Sequence, residues 1–205
     1  MGKIERKFLA HYLDSSFGNN YEKTTDSSIV TGKTYYTRSG SGTAQSPYVY
    51  TAVASPAAGS LSTYYEVVPT YTRLGKDLEE YNEELNPDVE VNKNIPGEQN
   101  VQHNGYEVQS EVDPFYAYSG DDLFTMLCQI ANKRLTGDDC MTTKVDVLVD
   151  STGTVVWAYR ENCYVVPSQI GGDTSGVQIP FTIYNAGKRV SGSFDTGTKK
   201  FTPAS

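Results

Sequence analysis

What most constrains this chain is how often its apolar residues recur at every second position and how seldom at helical spacing. Tyr106, Val108, Ser110 and Val112 alternate with Glu107, Gln109, Glu111 and Asp113. That period of two sends opposite characters to opposite faces of a sheet, so this strand is expected to have one wet, acidic face. Val145, Val147 and Val149 alternate with Asp146 and Asp150. Asp150-Ser151-Thr152-Gly153 then turns the chain into Thr154 to Arg160, where Val155, Trp157 and Tyr159 share a face, which predicts a β-hairpin. Val177, Ile179, Phe181 and Ile183 predict a further strand, returned by Asn185-Ala186-Gly187-Lys188 into Val190 to Phe194. Asp195 to Thr198 turns again, toward a short last strand around Phe201.

One helix is expected. Leu123, Phe124, Leu127, Ile130 and Ala131 have the spacing of one buried helical face, with Ser119 or Asp121 as the N-terminal cap. Lys133 and Arg134 suit its negative end and Gly137 can close it. Residues 78–90 are ambiguous: Leu78, Tyr81 and Leu85 fit a helix, Val89 and Val91 fit a strand, and Pro87 limits any helix.

Residues 18–70 are different in kind. They hold 7 of the 16 tyrosines and 17 Ser or Thr, three acids balanced by three bases, and frequent Gly and Pro. Such a stretch reads as short strands and turns. Thr34-Tyr35-Tyr36 is echoed by Thr63-Tyr64-Tyr65, a hint of two related strands. The expected organisation is a β domain made of residues 1–17 and 71–205, interrupted by a small β appendage, 18–70, directed outward, with a disordered loop as the alternative for the insertion.

Charge is unevenly spread. Residues 71–122 carry 13 acids against Arg73, Lys76 and Lys93, while residues 123–205 carry 8 bases and 7 acids, so one segment accounts for the net charge of −8. This balance argues against tight binding to a nucleic-acid backbone, which calls for clustered Lys and Arg. The acidic segment is either a solvated face that keeps the chain soluble or a surface that repels another polyanion. No apolar run is long enough to span a bilayer, and residues 1–14 lack the form of a secretory signal, so a chain made and left in a cytoplasm is expected. Cys128, Cys140 and Cys163 are an odd number without metal-type spacing, which fits free structural thiols.

Chemistry-bearing patterns are sparse. His11 and His103 belong to no zinc-type motif and read as ordinary hydrogen-bonded histidines. Glu79, Glu80, Glu83 and Glu84 contain enough carboxylates for a glycoside hydrolase pair, though adjacent surface glutamates are far commoner. Gly171-Gly172-Asp173-Thr174-Ser175-Gly176 lacks the Lys-Ser or Lys-Thr of a phosphate loop and reads as a loop entering the next strand. Cys163 has no base nearby in sequence. These patterns predict neither an enzyme nor a cofactor or metal site.

Many short matches in order resemble one family. They are Ile4 to Tyr12, Arg73 to Tyr81, Asn86 to Glu90, Lys93 to Glu98, Val147 to Asp150, Trp157 to Glu161, Gly171 to Gly176 and Phe194 to Thr196. Together they resemble the major tail (tail tube) proteins of long, flexible-tailed bacteriophages, over residues 1–17 and 71–205. Residues 18–70 depart from the pattern, standing where a short connection is expected.

The resemblance implies a β-sandwich or barrel-like tail-tube fold with one flanking α-helix, six copies to a ring, and rings stacked into a hollow tube in the virion. The implied partners are other copies of the chain, the tape-measure protein, other tail proteins, and viral DNA that passes through without specific binding. Under this reading Glu79, Glu80, Glu83, Glu84, Glu107, Glu111 and Asp113 are candidate lumen-lining residues, with Tyr106, Val108 and Val112 packed inward behind them. The loop from Pro87 to Gly105, with Asn94, Pro96 and Gly97, is the candidate ring-to-ring contact. Two other classes stay open: a carbohydrate-binding or adhesin-like β module that uses the tyrosine-rich insertion, and a hydrolase that uses the glutamate cluster.

Overall fold

The structure is a computed structural model that describes residues 4–76, 78 and 80–204. In chain order the strands are β1 (Leu9–Asp14), β2 (Tyr21–Lys23), β3 (Tyr36–Ser39), β4 (Val49–Ala52), β5 (Tyr65–Val67), β6 (Tyr71–Arg73), β7 (Pro87–Lys93), β8 (Gln99–Tyr106) and β9 (Gln109–Val112). After the helix α1 (Asp122–Lys133) come β10 (Met141–Val149), β11 (Val155–Pro167), β12 (Gly171–Asp173), β13 (Gly176–Gln178), β14 (Phe181–Asp195) and β15 (Lys200–Pro203). The protein is mainly β, with one α-helix of 12 residues. It divides into two compact units, Met1–Phe17 with Thr70–Ser205, and Gly18–Pro69.

The larger unit is built on an antiparallel sheet in the order β15-β14-β11-β10-β1-β6, with β9 also paired to β14, curled into a half-barrel. Its central strand, β10, is buried on both faces: Val145, Val147, Lys144 and Asp146 are all 1% exposed or less. The alternation along this strand therefore separates an apolar face from a buried polar one, and not from solvent. Val145 and Val147 pack with Ala10, Tyr12, Ala158 and Phe194 in one cluster. On the other face Leu13, Cys163 and Ile183 join the helix in the larger core.

Helix α1 contributes Leu123, Leu127 and Ile130, each at least 97% buried. Burying a leucine or isoleucine side chain is worth about 1.5–3 kcal/mol, so this stripe is what docks the helix. Asp121 is the cap, accepting from the backbone N–H groups of Leu123 and Phe124 at 2.9 and 3.3 Å. The helix ends at Arg134, in the left-handed conformation with φ +52°, and not at Gly137. A non-glycine residue serves there because the Arg134 and Leu135 N–H groups still find the carbonyls of Ala131 and Ile130.

Strand β14 corrects the expectation for the C-terminal third. Asn185 to Lys188 is not a hairpin turn; β14 runs through it for 15 residues, with a register shift where β11 steps from Arg160 to Asn162. Three residues, 187–189, bulge opposite Glu161 alone. The Val177-to-Ile183 strand is likewise divided, with β13 pairing back to β12 in a small hairpin of its own.

The smaller unit is a four-stranded sheet in the order β2-β5-β3-β4. Its two echoed tyrosine segments meet, Tyr36 opposite Tyr65. Tyrosines form its body: Tyr21 stacks on Tyr50 at 4.0 Å between ring centroids, Tyr50 meets Tyr65 edge-on, and Tyr35 is fully buried with its hydroxyl donating to Asp26 at 2.6 Å. This aromatic packing supplies the core of a sheet too small to bury many aliphatic side chains.

Candidate functional site

Two features of the larger unit stand out, one buried and one exposed. The buried one is a cluster of charges. Register places it: His11 of β1 lies opposite Asp146 of β10, and Lys144 lies opposite Glu161 of β11. Residues opposite one another in an antiparallel pair share a face. His11 Nδ1 meets Asp146 Oδ1 at 2.7 Å. The Lys144 ammonium reaches Glu83 at 2.7 Å, Asp146 at 3.5 Å and Glu161 at 3.6 Å. From β14, Arg189 donates to Asp146 at 2.6 Å, and the Asn185 amide donates to both Glu83 and Glu161. The bulge at 187–189 brings Asn185 and Arg189 to the same carboxylates.

Electrostatics in this cluster follow from burial and from the neighbours. Burial opposes the charge on Asp146, but the hydrogen bond with His11 and the charge of Lys144 outweigh it and hold the carboxyl below its usual range. Burial also opposes the charge on Lys144, and Asp146, Tyr81 and Glu83 more than offset it, so its pKa is raised. Glu161 is pushed up, by burial above all, against the pull of Lys144 and Arg189. Burial likewise moves the Cys163 thiol to about 12, so this thiol is a packed core group and not a poised nucleophile.

Carboxylate oxygens of Glu83, Asp146 and Glu161 lie within 4.8 Å of one another, a grouping of the kind that hard cations use. Here the Lys144 ammonium sits within 3.6 Å of all three. It is the cation they share, and a metal ion would have to displace it.

The cluster also positions the chain. The described residues between β6 and β7, 74–76, 78 and 80–86, form no regular strand or helix. They are tied down by Glu83 on Lys144, by Tyr81 against the His11 ring at 4.5 Å between centroids, and by a β-bridge between Glu84 and Gln109. They lead directly into β7.

The exposed feature is the hairpin of β7 and β8. The ring-contact segment expected as a loop is a regular two-stranded ribbon that pairs with no other strand among the described residues. Its period of two makes it amphipathic. Val91 lies opposite Val101 and Val89 opposite His103 on one face, while Glu90 faces Gln102 and Asn92 faces Asn100 on the other. The valines are 46–58% exposed, so the apolar face is uncovered. Pro87 opens the ribbon, where its missing N–H costs least. At the tip, Asn94 accepts from the Glu98 N–H at 2.7 Å, Gly97 takes φ +88°, and Ile95 is fully exposed. Gly105 lies at the base, in a bulge opposite Asp88.

The candidate acidic residues separate into groups. Glu79 lies outside the described residues. Glu83 is turned onto Lys144 with its side chain 17% exposed, which sets it apart from an open acidic surface. Glu80, Glu84, Glu107, Glu111 and Asp113 are exposed. Four of them, Glu80, Glu84, Glu111 and Asp113, wall one concavity of about 400 Å³. Behind the last two, Ser110 and Val112 are fully buried, as the alternation requires, and Val108 is half-buried. Tyr106 is not packed inward: β8 ends there, and the residue is 59% exposed, its ring edge-on to that of His103. The single strand read over 106–113 is two strands that pair with different partners, β8 with β7 and β9 with β14.

Sequence reasoning missed His11, Lys144, Asp146, Glu161 and Arg189 as one group. Charged residues at alternate positions look like a solvated strand face, and only the pairing register reveals that the face is closed.

No family model matches the chain, and no curated protein matches it. Among solved structures it is similar to the sheath/tube terminator of an extracellular contractile injection system (PVC) in the extended state. The TM-score is 0.39 and the sequence identity 9%, over 83% of this chain and 100% of that one.

Proposed function

We propose that this chain is a non-enzymatic structural protein of a phage tail, assembling with copies of itself into hexameric rings that stack into a tube. The observation that carries the reading is the amphipathic β7–β8 ribbon, whose valine face is covered by nothing among the described residues. An isolated two-stranded ribbon is marginal in water, and an uncovered apolar face on an open edge is a surface that pairs with another chain. A head-to-tail contact of this kind closes into a ring or continues as a filament, depending on the rotation between copies. The resemblance of ordered short segments to tail tube proteins points the same way, as does a mainly β fold with one helix.

In this account the ribbon carries the ring-to-ring contact through the segment Pro87 to Gly105. Glu80, Glu84, Glu107, Glu111 and Asp113 face a lumen through which DNA slides without sticking, because like charges repel. The tape-measure protein and other tail proteins are the further partners, and the virion is its place of work. Concentrating the purified protein and imaging it by electron microscopy tests the proposal. Rings or tubes of uniform diameter, unchanged by chelators, are expected. A particle that stays monomeric at every concentration, with the other tail proteins present, overturns it.

A further inference from the structure

A cavity of about 500 Å³ in the larger unit is walled by Arg6, Lys7, His11, Arg73, Lys76 and Tyr81, among others. In a chain with a net charge of −8, a concavity with four cationic side chains is against the overall balance. Lys7 is paired with Glu5 at 2.7 Å. Arg6, Arg73 and Lys76 have no ion-pair partner among the described residues. The two guanidinium groups donate to backbone carbonyls, Arg6 to Leu9 and Tyr81 at 2.5 and 3.1 Å, and Arg73 to Lys7 at 3.4 Å. These bonds orient the forks without neutralising them and leave N–H donors over. The Lys76 ammonium lies over the Tyr118 ring at 3.1 Å from its centroid.

His11 gives the second, independent sign. Its side chain is 8% exposed, its Nδ1 is engaged by Asp146, and its Nε2 is buried with no hydrogen-bond partner. Buried polar atoms in folded proteins are almost always partnered, by protein, water or ligand. His11 is among the residues that line the cavity. A carboxylate is the acceptor at Nδ1, so Nδ1 carries the proton, and Nε2 is left to accept from a ligand hydroxyl or, in the imidazolium, to donate to a ligand oxygen.

We propose that this cavity binds a compact oxyanion of the phosphate type. Three cations without an ion-pair partner among the described residues repel one another unless an anion joins them. Two guanidinium forks match the paired oxygens of a phosphate better than a single-atom anion, and the ammonium adds a point charge. The hydroxyl of a monohydrogen phosphate supplies the group that a neutral His11 Nε2 accepts from. This site is separate from the β7–β8 ribbon, and it stands or falls independently of the tail-tube reading.

The test is thermal unfolding of the full chain in inorganic phosphate, sulfate and chloride at matched ionic strength, with isothermal titration of inorganic phosphate. Phosphate is expected to raise the unfolding midpoint in a saturable way that chloride does not reproduce, because a ligand bound only by the folded state stabilises it by mass action. Arg73→Ala is expected to weaken phosphate binding at least tenfold. Lys76→Gln, on an exposed side chain whose loss leaves the fold intact, is expected to weaken it severalfold. An equal response to chloride at the same ionic strength would show solvated cations and overturn the proposal. So would phosphate binding that survives both substitutions. Glycerol phosphate and a short oligothymidylate separate the sources of the phosphate group. Binding of the oligonucleotide alone would point to a strand-binding surface and contradict a compact-anion site.

Discussion

The buried charge cluster of the sheet and the β7–β8 ribbon solve opposite problems. Inside the sheet, charged groups are buried, and the chain pairs them from four strands and the segment 80–86. On the ribbon, apolar groups are exposed and the chain leaves them uncovered. Residues 88–91 and 145–150 share one pattern in sequence, valine at one parity and acids at the other, although the segment from Pro87 to Gly105 reads as a loop. What separates them is the number of neighbours: β10 is flanked by β1 and β11 and covered on both faces, whereas β7 has only β8. One region is closed on itself, and the other is arranged to be closed by a second chain.

Breaking the buried cluster is expected to give the largest effect. Lys144→Met removes the cation shared by Glu83, Asp146 and Glu161 and leaves the half-exposed Arg189 as the one cation still paired with them among the described residues. A loss of about 3–5 kcal/mol of stability follows, measured by urea unfolding. Because Glu83 is released, proteolysis within residues 80–86 should also accelerate.

Acid sharpens the same point. The folded pKa of Asp146 is lowered, so its contribution is present above its unfolded value of about 3.9 and is lost as pH falls through the folded value. Glu161 runs the other way. Its folded pKa is raised, so its contribution is present below its unfolded value of about 4.3 and is lost as pH rises through the folded value. Asp146→Asn should therefore flatten the loss of stability in acid, and Glu161→Gln should gain relative stability as pH rises toward neutrality. Urea midpoints measured across that range check both signs.

The ribbon should respond in the opposite manner. Changing Val89, Val91 and Val101 together to Thr is expected to alter monomer stability by only about 0.5 kcal/mol per site, as for exposed positions, while abolishing assembly. Sedimentation velocity reads the second effect and urea unfolding the first. The smallest effect on stability belongs to Glu111→Lys and Asp113→Lys. Both side chains are exposed, and neither forms an ion pair among the described residues. These changes should leave folding and tube formation in place and slow the passage of DNA, as seen in ejection kinetics, because each new cation pairs with passing phosphates.

Much of the architecture was legible because it is local. The hairpin at Asp150 to Gly153 carries its own instruction, an Asp150 carboxylate that accepts from the N–H groups of Thr152 and Thr154. The Asp121 cap and the Leu123, Leu127, Ile130 stripe do the same for α1. What stayed hidden depends on pairing across the chain. Asn185 to Lys188 has turn chemistry, yet β11 extends alongside it and holds it as a bulge within β14. Strand β8 is rich in Gln and Asn and has Val101 as its main apolar signal, so its existence follows only from β7 opposite it. The charge cluster was the least legible feature: His11 and Asp146 are 135 residues apart, and no spacing rule links them.

The central claim is that the β7–β8 ribbon is completed by another copy of the chain. Amide hydrogen exchange, followed by mass spectrometry in dilute monomer and in concentrated protein, tests it most directly. The account predicts that amides of residues 87–106 exchange quickly in the monomer and become protected as concentration rises, while those of β10 and β11 stay protected throughout. Assembly that leaves residues 87–106 exchanging as fast as in the monomer would contradict it.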